Sequence, residues 1–286
     1  HFSSPMHSSA QRASTGEHRG HRAINVLIWF LFATLALWGL WASMDIGIGW
    51  DEEAERATLL INLSAITGLL LGNTQGFEAL LAHGDRYYGV GFHFPAYLVS
   101  HLIDSAQAFF LGTSRGPDAL ILSHISVWLC FIGSALFIRI LFLRLLNHRL
   151  QANLGMLVFA LWPYLLGHGL MNIKDMPFVF AWLLCTVITL PLLPLLLTQA
   201  SAFSRSILVR TILLAIATAW LLSIRISGIL IFIQYGCLLV SYWYFAHNAS
   251  KNNGAKPKVI QNVNSSLIHS IAYTLAIFIP VFCFCL

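Results

Sequence analysis

Residues 23–44, AINVLIWFLFATLALWGLWASM, hold no charged side chain. About 20 mostly apolar residues suffice for one helical crossing of a bilayer. Comparable runs follow near residues 119–141, 152–170, 176–197, 206–224, 229–247 and from 267 onward. They are continuous rather than alternating, which argues against a β-barrel. Only 9% of the chain is charged and 58% is hydrophobic, against about 25% charged in soluble domains. The mean hydropathy is +0.75. The expected fold class is an all-α polytopic membrane protein with about seven transmembrane helices. Spans five and six are expected to separate at Ser227-Gly228, the sole break in their shared apolar stretch.

The net charge of +5 does not indicate nucleic acid. The basic residues stand singly at the ends of apolar runs, where they act as topology signals. The five cysteines all lie inside such runs, without a CxxC pattern, and read as buried thiols. Residues 1–22 read as a disordered cytoplasmic tail and residues 23–286 as one transmembrane domain. The last residue falls inside an apolar run, so the C-terminus reads as truncated. Residues 45–118 form a large first loop. Two stretches in it, 57–71 and 88–110, are apolar but interrupted by polar groups, as in helices that lie in the interface. Making one of them a span is the rival threading.

Seven crossings put Arg12, Arg19, Arg22, Arg139, Arg144, Arg149, Arg205, Arg210, Lys251, Lys256 and Lys258 on one side. That side is expected to be cytoplasmic, because Lys and Arg favour it. Five basic residues fall opposite, with ten of the eleven acidic ones. Since acidic residues contribute little to topology, this excess asks for another cause.

Its densest part is WDEEAER, residues 50–56. In a helix starting near Trp50, Asp51 and Glu55 share a face, and Glu52 and Arg56 form a second pair. Acidic residues also suit the positive end of a helix dipole without any further role. In NIKDMPFVFAW, 172–182, Asp175 is placed to cap a helix and Pro177 to sit in its first turn. Lys174 beside it lies where cations are scarce. Arg225, in RISGIL, has two readings: a turn residue whose head snorkels to water, or an anion ligand whose fork matches phosphate oxygens. Hydropathy alone brings Asp51, Glu52, Lys174, Asp175 and Arg225 to one membrane face. Carboxylates beside cations there suit transfer from a lipid-linked phosphate: the cations hold the leaving phosphate and a carboxylate takes a hydroxyl proton. His93, His101 and His168 lie on or near that side without a recognisable metal-ligand set.

WDEE after span one, RYYGVGFHFPAYL (86–98), NIKDMPFVFAWLL and RISGILI together resemble the bacterial members of glycosyltransferase family 39. The resemblance covers roughly residues 25–245. It implies a GT-C fold like that of the protein O-mannosyltransferases, with interfacial helices in the first loop and polyprenyl-phosphate-sugar as donor. Asp51 matches the expected general base, and Glu52 a residue that positions donor or acceptor. Lys174 and Arg225 match basic positions near the lipid phosphate. Asp175 matches a second acid of the site, which in some relatives holds a divalent metal (Mg or Mn). Arg86, Tyr87 and Tyr88 fall in the aromatic motif expected to contact substrate. The segment VGFHF departs from the family, where a proline commonly follows Tyr-Gly. Such an enzyme would place a sugar on a hydroxyl acceptor (lipid, glycan or protein) at the exoplasmic face, in a bacterial plasma membrane. The alternative from another class is a transporter or flippase of a lipid-linked or anionic solute.

Overall fold

The computed structural model describes residues 6–47, 49, 52–86, 89–112, 119–198 and 205–252. Asp51, Tyr87, Tyr88 and the expected seventh span lie outside them. The described residues are helical, with no sheet among them. Helix α1 runs Met6–Asp45, reaching back into the segment expected as tail. Three helices occupy the long loop: α2 Glu52–Leu70, α3 Gln75–Ala82 and α4 His93–Leu111. Then come α5 Ala119–Leu146, α6 Arg149–Leu161, α7 Pro163–Met171, α8 Asp175–Thr198 and α9 Arg205–Ile224. A short 3-10 turn, Ile226–Leu230, leads into α10, Ile231–Asn252.

Among the described residues, four helices are long and apolar enough to cross a membrane: Arg22–Asp45, His124–Leu146, Asp175–Leu193 and Arg205–Ile224. A fifth arises if α6 and α7, bent by 64°, count as one span. One face of α1 packs inward through Ile28 and Phe32, and the other turns apolar side chains outward: Phe30 is 65% exposed, Leu37 70% and Trp41 65%. Contiguous apolar surface of this kind is rare on a soluble monomer and suits a hydrocarbon surround.

Two expected boundaries shift. The third span is not one straight crossing. Pro163 opens α7, and a residue before proline is driven out of the helical region; Trp162 is accordingly extended, with ψ 116°. Spans five and six part at Arg225 rather than at Ser227-Gly228. Arg225 is extended, with φ −150° and ψ 137°, and Ser227 and Gly228 lie inside the 3-10 turn that follows. The apolar part of the sixth run, Ile226–Ser241, is shorter than a crossing helix.

Helix α5 is the centre of the bundle. It packs against α1, α4, α6, α7 and α8, and α8 packs on α9. Trp128 and Phe131 of α5 are fully buried in the core with Met156, Met176 and Leu221. Trp128 lies where α1 comes closest: its Nε1 donates to the Ala36 carbonyl at 2.8 Å, and a Cβ on Gly39 would overlap its ring. At the end away from the α1–α2 connection, Arg139 donates to Asn153 at 2.6 Å and Asn153 to Asn25 at 2.7 Å. These bonds join α5, α6 and α1. Polar side chains pair in this way where water is absent, because an unpaired one is costly.

Candidate functional site: an acid–base cluster where five helices end

Helix α2 starts at Glu52, whose N–H donates to the Gly49 carbonyl at 3.2 Å. Its first turn carries Glu52, Glu53 and Glu55, where carboxylates meet the positive end of the helix dipole. Dipole and solvation do not account for the whole cluster. Glu52 and Glu55 are each 3% exposed, while Glu53 and Arg56 face out. The inward face therefore pairs Glu52 with Glu55, three residues apart, and continues through Thr58 and Leu59. The expected Glu52–Arg56 pair does not share an environment, since one member is buried and the other exposed.

Each buried carboxylate meets a histidine from another helix. Glu52 Oε1 lies 2.5 Å from His124 Nε2 of α5, and Glu55 Oε2 lies 3.2 Å from His93 Nε2 at the start of α4. Glu55 Oε1 is also ion-paired to Lys174 Nζ, in the turn between α7 and α8. Burial acts to raise the Glu55 carboxyl, but the bonds from His93 and Lys174 outweigh it and hold the group below its usual range. Glu52 Oε2 is buried and, among the described residues, has no hydrogen-bond partner.

The turn 172–175 carries the rest. Asn172 Oδ1 accepts the backbone N–H of Lys174 at 3.1 Å and of Asp175 at 2.7 Å. Asn172, rather than Asp175, therefore caps α8, and Asp175 is the first residue of the helix. This leaves the Asp175 carboxylate for side chains. Its Oδ2 accepts from Asn172 Nδ2 at 3.0 Å, and its Oδ1 pairs with Arg225 Nη1. Asn172 Nδ2 also lies 2.6 Å from His168 Nδ1 of α7.

Arg225 is held at the end of α9 by the loop before α4. Gly91 N–H donates to the Ser223 carbonyl at 2.9 Å, and Trp220 Nε1 donates to the Gly91 carbonyl at 3.0 Å. A Cβ at Gly89 or Gly91 would overlap Ser223. The glycines of YGVGF thus let one backbone lie directly on another. Arg86 Nη1 donates to the His83 carbonyl at 3.3 Å.

Lys174, Asp175 and Arg225 therefore join Glu52 and Glu55 in one cluster at the ends of α2, α5, α7, α8 and α9. Sequence reasoning missed Glu55, His124 and Asn172 as members. It weighed His93 and His168 only as metal ligands. The signals were present: a second carboxylate three residues after Glu52, and histidines in apolar stretches, where ionisable groups are expensive and usually functional.

A divalent metal at Asp175 does not fit this donor set. Both its oxygens are engaged, one by a guanidinium that would repel a cation. Among the described residues no group of three or more His, Cys, Asp or Glu is placed to hold a metal ion.

Beside the cluster lies a cavity of about 430 Å³ at the bend between α6 and α7. Glu52, His168, Asn172 and Lys174 line one part, and Pro163, Tyr164, Met171 and Ile173 another. Three carboxylates stand against two cations here. The arrangement can accept a proton, hold an anion on Lys174 or Arg225, and admit a small polar ligand.

No family model, no curated protein and no solved structure matches this chain.

Proposed function

We propose that the chain is an integral-membrane glycosyltransferase with a GT-C-like bundle of about seven spans. It moves a sugar from a polyprenyl-phosphate carrier to a hydroxyl acceptor at the exoplasmic face of a bacterial plasma membrane. The observation that carries this reading is the meeting of Glu52, Glu55, Lys174, Asp175 and Arg225 at one end of the bundle. Four of these, Glu52, Lys174, Asp175 and Arg225, are residues that the family 39 resemblance selects from separate parts of the sequence.

In this reading Asp51 takes the acceptor's hydroxyl proton. The hydroxyl oxygen attacks the anomeric carbon, and the bond from that carbon to the phosphate oxygen breaks. The phosphate leaves with the electron pair, and Lys174 and Arg225 stabilise its charge. Glu55, kept ionised by its depressed pKa, pairs with Lys174 and directs it at the site. Asp175 does the same for Arg225, whose guanidinium has five N–H donors and so can serve a carboxylate and a phosphate together. The apolar sides of α2 and α4 rest on the membrane surface. Leu70 is 82% exposed and Phe109 82%, as befits side chains that meet lipid.

The test is transfer from a labelled polyprenyl-phosphate hexose in membranes containing the full chain. Asp51→Asn is expected to lower turnover by about 10²–10⁴, the scale of a general base. Near-normal turnover would remove Asp51 from that role.

One observation favours the transporter reading: the 64° break between α6 and α7 beside the site, since transporters build solute sites at broken spans. Release of labelled sugar from its carrier separates the two, because a transporter leaves that bond intact.

A further inference from the structure

His168 lies in the last turn of α7, and its neighbours fix which of its ring nitrogens holds a proton. The backbone N–H of Asn172 donates to the His168 carbonyl at 2.9 Å, so the two side chains follow one another along one face. The Asn172 amide has one possible orientation. Its Oδ1 accepts the backbone N–H groups of Lys174 and Asp175, at 3.1 and 2.7 Å. Turned over, its Nδ2 would face two donors. Nδ2 therefore spends one N–H on Asp175 Oδ2, at 3.0 Å, and the other on His168 Nδ1, at 2.6 Å. Every donor and acceptor place of the amide is then filled.

An amide nitrogen cannot accept, so Nδ1 is the acceptor of this bond. A proton on Nδ1, in the other tautomer or in an imidazolium, would be aimed at an N–H. The ring proton is left on Nε2. Tyr164 lies against the ring, with centroids 4.3 Å apart, and limits its rotation. His168, Tyr164 and Lys174 line the α6–α7 cavity together. The cavity therefore meets this imidazole as a donor. A ring nitrogen that holds a proton cannot take one from a hydroxyl, and a ring nitrogen bonded to an amide N–H is closed to a metal ion.

A fixed neutral donor beside a lysine suits an oxygen whose negative charge grows during reaction. When the bond to the anomeric carbon breaks, the phosphate oxygen keeps the electron pair and the phosphate gains one negative charge. An N–H aimed at that oxygen is bound more strongly in the transition state than before it. Neutral imidazole can fill such a place. It keeps its proton throughout, so no proton moves through His168.

We propose that His168 Nε2–H donates to the departing phosphate oxygen, and that Asn172 is the positioning residue that holds the ring in this tautomer. The role in transfer rests on the glycosyltransferase reading, whereas the tautomer does not.

The experiment has two arms. In the first, the detergent-solubilised full chain with isotope-labelled histidine is observed by NMR at neutral pH, and His168→Gln identifies the His168 signals by their loss. The expected signature is a proton on Nε2 alone. Asn172→Asp keeps a cap for α8 but offers Nδ1 a carboxylate in place of a donor, and a proton should then appear on Nδ1. A natural chain with the proton on Nδ1, or on both nitrogens, overturns the proposal. In the second arm, transfer from a labelled polyprenyl-phosphate hexose is measured. His168→Leu is expected to lower kcat by about 10²-fold, the scale of one lost oxyanion donor, with KM for the carrier little changed. His168→Gln, which still carries an N–H, should recover about tenfold of that loss. Unchanged unfolding temperatures show that both variants fold. Equal losses in the two, or a loss confined to KM, also overturn the proposal and leave the transferase reading standing. If the natural chain transfers no sugar, that reading and the role of His168 in it fall together, and the NMR signature still decides the tautomer.

Discussion

Glu55 ties two parts of the cluster together, because it joins a histidine from α4 to a lysine from the α7–α8 turn. Its depressed pKa ties the cluster to pH. A carboxyl that titrates lower in the folded than in the unfolded chain binds fewer protons when folded. Its stabilisation is therefore present above its ordinary value of 4.5 and fades as pH falls through that value and below. Glu55→Gln is expected to cost about 1–3 kcal/mol at neutral pH, the scale of a charged hydrogen bond lost inside a protein. The gap between variant and natural chain should close on acidification below 4.5. Unfolding curves in detergent across that range measure it, and a gap independent of pH would show that Glu55 is not the titrating member. Glu55 was visible in the sequence as one of a run of acids. Its role was not, because WDEEAER does not say at which residue α2 begins, and a shift of one position turns a different pair of carboxylates inward.

At the scale of elements, the loop 89–92 decides where Arg225 sits. Its backbone lies on the last turn of α9 only because Gly89 and Gly91 have no Cβ. Gly89→Ala would drive a methyl group into the Ser223 carbonyl, which cannot yield as a side chain can. The expected cost is about 1–3 kcal/mol, as for overpacking elsewhere, with a matching loss of transfer activity as Arg225 moves. Gly84→Ala is the control, since a Cβ there meets nothing within 4 Å. Equal thermal stability of the two variants would show that the loop does not depend on this contact. The motif containing these glycines stood out in the sequence, but its partner in α9 did not, because 129 residues separate Gly91 from Trp220. The break in the third span was half legible. Pro163 marks it in the sequence, whereas the 64° angle depends on what α7 packs against.

For the whole molecule, each crossing reverses the chain. The acid–base cluster and the Arg139–Asn153–Asn25 bonds therefore lie at opposite ends of the bundle. With α6 and α7 as one crossing, cysteines placed singly at Ser227 and at His148, in an otherwise cysteine-free chain, should react with an impermeant maleimide from opposite sides of sealed vesicles. Labelling of both from one side would mean that α6 and α7 do not cross together.

The sequence by itself determined that the chain is helical and too apolar for water, and roughly where its long helices run. Uninterrupted apolar length and scarcity of charge are local properties, summed along the chain. It also marked Arg225 as a charge in a costly place and Lys174 as a cation where cations are scarce, directly beside Asp175. Only the tertiary structure decided their partners. Glu52 finds His124 across 72 residues and Arg225 finds Asp175 across 50. Such pairings depend on the rotation of each helix about its axis, which packing sets and no local run of residues encodes.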